Sequence, residues 1–203
     1  MTGINVAALL PVTASLGPGR RFALWVQGCC FDCPGCIAPS WIPNIPNQML
    51  DIDEIAGRIL ETPGLEGLTV SGGEPFLQAG EISTLIDTLK SVRPNFTVIV
   101  YTGFRLDYLK EEADSQRLAL LQRVDVLIDG VYRQELNDGL GLRGSSNQRV
   151  HFLTDVYAEL SDAFIRAPRQ LELHIGDQNE IFMAGIPAKE LPDQLSFLRE
   201  TVA

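Results

Sequence analysis

Along the chain, short strand-like apolar runs alternate with segments whose apolar residues recur every three or four positions, a pattern that predicts βα units around a mostly parallel sheet. The first strand-like run is RFALWVQG, residues 21–28. A loop rich in proline and asparagine, WIPNIPNQ, separates it from a segment that places Ile52, Ile55, Ala56, Ile59 and Leu60 on one helical face. Asp51, with Glu54 three residues on, has the spacing of a capping box at that helix's start. GLTVSGG is the next strand, and Ile82, Leu85, Ile86 and Leu89 mark a second amphipathic helix. NFTVIVYTG reads as strand, LDYLKEEADSQRLALLQR as helix and VDVLIDG as a fourth strand. A glycine-rich loop, NDGLGLRGSSNQ, then leads into the short apolar run RVHFL.

The pattern changes near residue 154. DVYAELSDAF reads as helix, and QLELHIGDQNEIFMAGIP as two strands around a Gly-Asp-Gln-Asn turn. AKELPDQLSFLRE reads as a last amphipathic helix. The expected organisation is therefore one α/β domain, with a core over 1–153 and a helix, hairpin and helix extension over 154–203. In such folds reactive groups gather on loops at the C-terminal ends of the strands, which selects four loops here.

Composition narrows the function. A chain of 203 residues, 45% of them hydrophobic, is long enough to bury one sizeable core without disulfides. Its 26 acidic against 16 basic residues give a net charge of −10, which disfavours nucleic acid and anionic membranes as partners. No apolar run reaches membrane-spanning length, and MTGINVAALLPVTASLGPGRRF has a mild apolar patch without the basic start of a leader, so the expected location is the cytoplasm. Arg20 and Arg21 offer a basic docking spot for an acidic partner on an otherwise acidic protein.

All four cysteines lie within WVQGCCFDCPGCIAP, directly after the first strand. Neighbouring thiols close only tiny loops and brace nothing, so metal ligation is the better use for them. Cys29, Cys33 and Cys36 are spaced C-x3-C-x2-C, which suits three corners of a [4Fe-4S] cube with the fourth iron left open. Cys30 is either a fourth ligand or a small semi-buried residue; side chains of adjacent residues diverge, which favours the latter. The alternative is structural zinc, which needs a second cysteine pair or a histidine pair. The only histidines, His151 and His174, lie singly on strand-like runs.

With that loop the sequence resembles the radical S-adenosylmethionine enzymes, and within them the group of activating proteins for anaerobic ribonucleoside-triphosphate reductase. Five blocks carry the resemblance in order: GPGRRFALWVQGCCFDCPGC, LTVSGGEP, VIVYTGFRLDYL, VDVLIDGVYRQELND and LRGSSNQRVHFL. It implies a partial (βα) barrel of mostly parallel strands, and two cofactors, a [4Fe-4S] cluster on Cys29, Cys33 and Cys36 and S-adenosylmethionine. Gly72, Gly73 and Glu74 of SGGEP would hold the methionyl amino group, with glycines letting a ligand approach the backbone. Thr102 and Asp129 would line the ribose or methionyl pocket, and Ser145 and Asn147 of RGSSNQ would contact cofactor or partner. Taken singly, these are also ordinary strand-end turns and a self-capping loop.

The resemblance further implies an electron from a flavodoxin or ferredoxin-like reductant, cleavage of S-adenosylmethionine, and hydrogen abstraction from a backbone glycine of a large glycyl-radical enzyme, anaerobic ribonucleotide reductase being favoured. Trp25, Phe31, Trp41 and Ile42 would be an apolar rim for that partner or simply core. Two features depart from the pattern: Ile37 stands after the last cysteine where many of the group have tyrosine, and Val131 stands where some relatives have lysine. Two alternatives stay open. One is a radical enzyme acting on another glycyl-radical enzyme, a peptide or a small molecule; the other is a non-enzymatic metal-binding or electron-carrying module.

Overall fold

A computed structural model describes residues 3–112, 114–175 and 181–188. Strands β1 (Gly3–Thr13), β2 (Arg21–Val26), β3 (Gln48–Asp51), β4 (Gly67–Gly72), β5 (Thr97–Thr102), β6 (Val126–Asp129) and β7 (Arg149–Phe152) form one sheet in the order β3-β1-β2-β4-β5-β6-β7. The centre, β2-β4-β5-β6, is parallel, and the flanking pairs are antiparallel. Helices α1 (Ile52–Glu61), α2 (Ala79–Val92), α3 (Leu106–Glu111) and α4 (Ser115–Leu121) fill the crossovers. Their apolar faces join Phe22, Leu24, Val26, Leu68, Val70, Val98, Val100 and Leu127 in one buried cluster. That set is every second residue of each strand, as pleating requires.

The other face of the sheet is covered by the chain after residue 154. A 3-10 stretch at Asp155–Leu160 and helix α5 (Ser161–Ile165) bring Tyr157 and Phe164 against Ile99, Val126 and Ile128. Strands β8 (Leu171–Ile175) and β9 (Ile181–Gly185) form the expected hairpin, which lays Ala184 and Phe182 on Ala23 and Trp25. Among the described residues no helix is long and apolar enough to cross a membrane. The Gly-Asp-Gln-Asn turn and the last expected helix lie outside the described residues.

Several elements differ from expectation for identifiable reasons. β1 was hidden because its register shifts between Val6 and Ala8 and again between Leu10 and Thr13, and each bulge breaks the period-two alternation. The helix expected across 106–123 is two, because Asp114 accepts hydrogen bonds from the Gln116 and Arg117 amides and starts α4 afresh. Asp51 caps α1 through the Asp53 amide, while Glu54 turns to Arg58 at 2.6 Å instead of closing a capping box.

Arg21 is not a docking residue. It is fully buried at the N-terminal end of β2, opposite the cysteine loop. Its guanidinium donates to Thr69 Oγ1 (2.7 Å), Thr97 Oγ1 and Tyr157 Oη (2.9 Å each) and the Leu68 carbonyl (2.6 Å), tying the base of the sheet to the tail. Arg20 is at that same end, its amide bonded to Glu66.

Candidate functional site

The cysteine loop leaves the C-terminal end of β2, and its foot is fixed by backbone rather than side chains. Gly28 and Cys29 amides donate to the carbonyls of Trp41 and Ile42, so the loop closes on the segment that follows it. From the other side the Glu74 amide donates to Gly28 O and the Gly73 amide to Val26 O, both at 2.8 Å. A Cβ on Gly73 would stand 2.1 Å from Gly28 O and 3.0 Å from Trp41 O, and one on Gly72 2.4 Å from Val26 N. Gly73 thus lets the turn after β4 touch the foot of the cysteine loop backbone to backbone, and Gly72 lets the end of β4 lie as closely on the end of β2.

Cys29, Cys33 and Cys36 are all free thiols, half-buried on that loop, and Cys30 is exposed. The Phe31 amide donates to Cys29 Sγ (3.4 Å) and the Cys36 amide to Cys33 O (3.0 Å). Partial burial pushes the Cys29 thiol up to about 11, against the Phe31 amide and helped by the negative Glu74 nearby; burial raises Cys33 as well. Among the described residues no three His, Cys, Asp or Glu side chains converge as a single metal ion requires. Three thiols spread along a short loop instead fit a cube, whose corners take one thiolate each. Iron would replace the protons that these thiols hold in its absence.

Glu74 is 1% exposed and ends a strand at the foot of the loop. Its carboxylate accepts from the Phe76 amide (2.9 Å), Thr102 Oγ1 (2.8 Å) and the Gly103 amide (2.8 Å). Burial nonetheless pushes it up to about 7, because those three bonds offset the lost hydration only in part. Three of about four acceptor positions are used, and among the described residues no cation pairs with it. A buried carboxylate with one free lone pair fits an ammonium donor. Thr102 is thus a brace of Glu74, its Oγ1 also accepting from the Phe104 amide.

Asp129 stands apart from this group, on the helix-facing side of β6 with Leu127. Its buried carboxylate accepts from the Leu106 amide (2.7 Å) and Arg149 (3.0 Å), pairs with Arg105 (3.2 Å), and has His151 Nε2 3.0 Å away at an angle that makes no hydrogen bond. Burial opposes its charge, but Arg149, the Leu106 amide and His151 outweigh it and hold the carboxyl below its usual range.

Ser145 and Asn147 brace the segment that follows β6. Ser145 Oγ accepts from the Arg133 amide (3.1 Å), Asn147 Nδ2 donates to Val131 O (2.9 Å), and Gln148 Nε2 donates to Gly130 O (2.7 Å). Asn147 Oδ1 is buried with no partner, an acceptor open to a ligand donor. The braced segment and the cysteine loop face each other across a cleft of about 310 Å³ lined by Phe31, Asp32, Cys33 and Pro34 on one side and Val131, Tyr132, Arg133 and Glu135 on the other. Phe31 also lies against Gly103, where a Cβ would come within 2.4 Å of its ring, and edge-on to Phe104 at 4.9 Å. Trp25 is instead core, packed on Trp41 and Phe182, while Ile37 is half-exposed.

Residues 15–151 match the family model described as a 4Fe-4S single cluster domain. The anaerobic ribonucleoside-triphosphate reductase-activating protein of Escherichia coli is 34% identical over 157 residues, 74% of this chain and 99% of that protein. The protein of the same name from Enterobacteria phage T4 is 33% identical over 159 residues, 75% and 96% of the two chains. The chain belongs to this activating-protein family. A solved structure, QueE from Escherichia coli, superposes over 66% of this chain and 73% of that one with a TM-score of 0.37 at 15% identity. Residues after 151, which include the tail on the sheet's second face, lie outside the match to the family model.

Sequence reasoning missed Tyr132 and Arg169, two builders of the cleft. Tyr132 had a signal, since it follows the strand end Asp129-Gly130. Arg169 had none, because its partners are 18 or more residues away and mostly backbone carbonyls.

Proposed function

We propose that this chain is a radical S-adenosylmethionine activase that generates a glycyl radical on an anaerobic ribonucleotide reductase, using an electron from an acidic flavodoxin or ferredoxin-like donor. The observation that carries the reading is the Glu74 turn: a buried carboxylate lacking a cation, hydrogen-bonded through its own amide to the base of a three-cysteine loop. Together, a [4Fe-4S] cluster and S-adenosylmethionine supply reductive cleavage of the sulfonium to methionine and a 5′-deoxyadenosyl radical.

The chain's own residues bind and orient. Cys29, Cys33 and Cys36 would hold the cluster, leaving one iron without a protein ligand, and the exposed Cys30 would stay outside it. Glu74 would accept from the methionyl ammonium, with Thr102 and the Gly103 amide holding its carboxylate still. Gly72 and Gly73 keep that turn pressed to the loop. The unpartnered Asn147 Oδ1 would take a donor of the same ligand, and Asp129 would act at one remove, by fixing the start of α3 beside β6. No residue is asked to move a proton.

In this reading residues 1–153 are the radical enzyme core, the four consecutive parallel strands forming the wall of a partial barrel, and 154–203 are an extension of the same domain working in the cytoplasm. The tail favours one competing reading, in which the target is another glycyl-radical enzyme, a peptide or a small molecule. Mixing the reduced, reconstituted protein with an anaerobic ribonucleotide reductase and S-adenosylmethionine tests this: a glycyl doublet by electron paramagnetic resonance supports the favoured partner, and its absence alongside S-adenosylmethionine cleavage supports the other.

A further inference from the structure

The tail also reaches the cleft. Arg169 lies between α5 and β8, with a side chain only 6% exposed. Nη1 donates to Asn137 Oδ1 (2.7 Å) and Pro187 O (3.0 Å), and Nη2 donates to the carbonyls of Arg143 and Gly144. Asn137, Arg143 and Gly144 belong to the loop whose far side braces the cleft, and Pro187 to the tail. Asn137 Nδ2 passes the link on to Tyr132 Oη (3.2 Å), and Gly144 lies against the Tyr132 ring, where a Cβ would approach to 3.0 Å. Gln148 then joins the Gly144 amide to the Gly130 carbonyl. One guanidinium is thus linked to the Tyr132 side of the wall that faces Cys33, through both the Tyr132 hydroxyl and the backbone beneath its ring.

We infer that Arg169 is a positioning residue for S-adenosylmethionine: it acts through Asn137, Gly144 and Tyr132 to set the cleft wall opposite Cys33, so that the tail completes the site. The inference rests on the proposed function. Its chemistry needs a planar fork, since two nitrogens must reach two side-chain or tail acceptors and two loop carbonyls at once; an ammonium on a flexible stem serves one or two of these. Pro187 O, bound by both Arg169 and Asn137, carries the link back into the end of the hairpin. Cluster assembly should not depend on Arg169, which bonds to no residue of the cysteine loop.

The test is S-adenosylmethionine binding, read as the change it makes in the resonance spectrum of the reduced cluster, in wild type, Arg169→Lys and Arg169→Met. Iron content and thermal midpoint are measured alongside. We expect full iron loading in both variants and half-saturation by S-adenosylmethionine raised by about tenfold, as for loss of one charge-assisted hydrogen-bond set, with lysine failing to rescue. Asn137→Ser, which removes the Arg169 acceptor together with the donor to Tyr132 Oη and Pro187 O, should shift half-saturation the same way by about threefold, and it serves if the Arg169 variants do not fold. Wild-type half-saturation in a folded Arg169 variant, or in Asn137→Ser, overturns the inference while leaving the proposed function intact. A wild-type cluster whose spectrum ignores S-adenosylmethionine overturns both.

Discussion

Replacing Gly73 by alanine separates two uses of glycine at this site. Gly73 has no left-handed backbone requirement, so the perturbation is the methyl alone. That methyl would sit 2.1 Å from Gly28 O, where ordinary contact begins at 3.4 Å, so the strand end and the loop must part by more than about 1 Å. Neither neighbour is the end of a flexible side chain; both Gly28 O and Trp41 O are backbone. Overpacking of this kind costs about 1–3 kcal/mol. The same separation strains Gly73 N to Val26 O and Glu74 N to Gly28 O, worth about 1 kcal/mol each. The sum is roughly 3–5 kcal/mol, or about 10 °C in thermal midpoint for a chain of this size. The assay is urea and thermal unfolding of metal-free, ligand-free Gly73→Ala. If the glycine served only to admit a ligand, this apoprotein would unfold like wild type, within about 0.5 kcal/mol, and the packing argument would be refuted.

Three other outcomes follow from the same structure. Arg21→Met should cost about 3 kcal/mol in urea unfolding, since it strands the Leu68 and Thr97 carbonyls beneath the tail, whereas Arg20→Ala should cost under about 0.5 kcal/mol. Asp129→Asn should cost about 2 kcal/mol at pH 7, less than a wholly buried pair because Arg105 and Arg149 are partly solvated. The folded Asp129 carboxyl lies below its unfolded value, so its contribution is complete above that value and is lost as pH falls through the folded one; unfolding curves of variant and wild type should converge in acid, below about pH 4. Cys30→Ala should retain iron content and S-adenosylmethionine cleavage within about twofold, because Cys30 is exposed while the three other thiols are half-buried; loss of either would make it a ligand.

The central strands and both long helices were legible because each buries one periodic face: Leu68, Val70, Val98 and Val100 alternate on strands, and Ile55, Ile59, Ile82 and Ile86 recur on helices. The cysteine loop and Glu74 were legible because their chemistry is local in sequence. What stayed hidden depends on distant partners. β1 lost its alternation to two bulges, and the burial of Arg21 reads as a surface charge until Thr69, Thr97 and Tyr157 are brought around it. The glycines of SGGEP were legible as close-approach positions, but not that the backbone of β2 and of the cysteine loop presses on them, since those contacts are more than 30 residues away in sequence. Asp129 was legible as a strand-end carboxylate, but not its partners Arg105, Leu106 and Arg149, which lie 20 or more residues away in sequence.

The proposed function requires three cysteines to hold a cube with one iron open to the nucleotide seated by Glu74. Anaerobic reconstitution with iron and sulfide, reduction, and assay for 5′-deoxyadenosine after adding S-adenosylmethionine tests it most directly. The account predicts 5′-deoxyadenosine from wild type and none from Cys33→Ala. A reconstituted wild-type protein whose metal centre is ligated at every site, and which leaves S-adenosylmethionine whole, would contradict it.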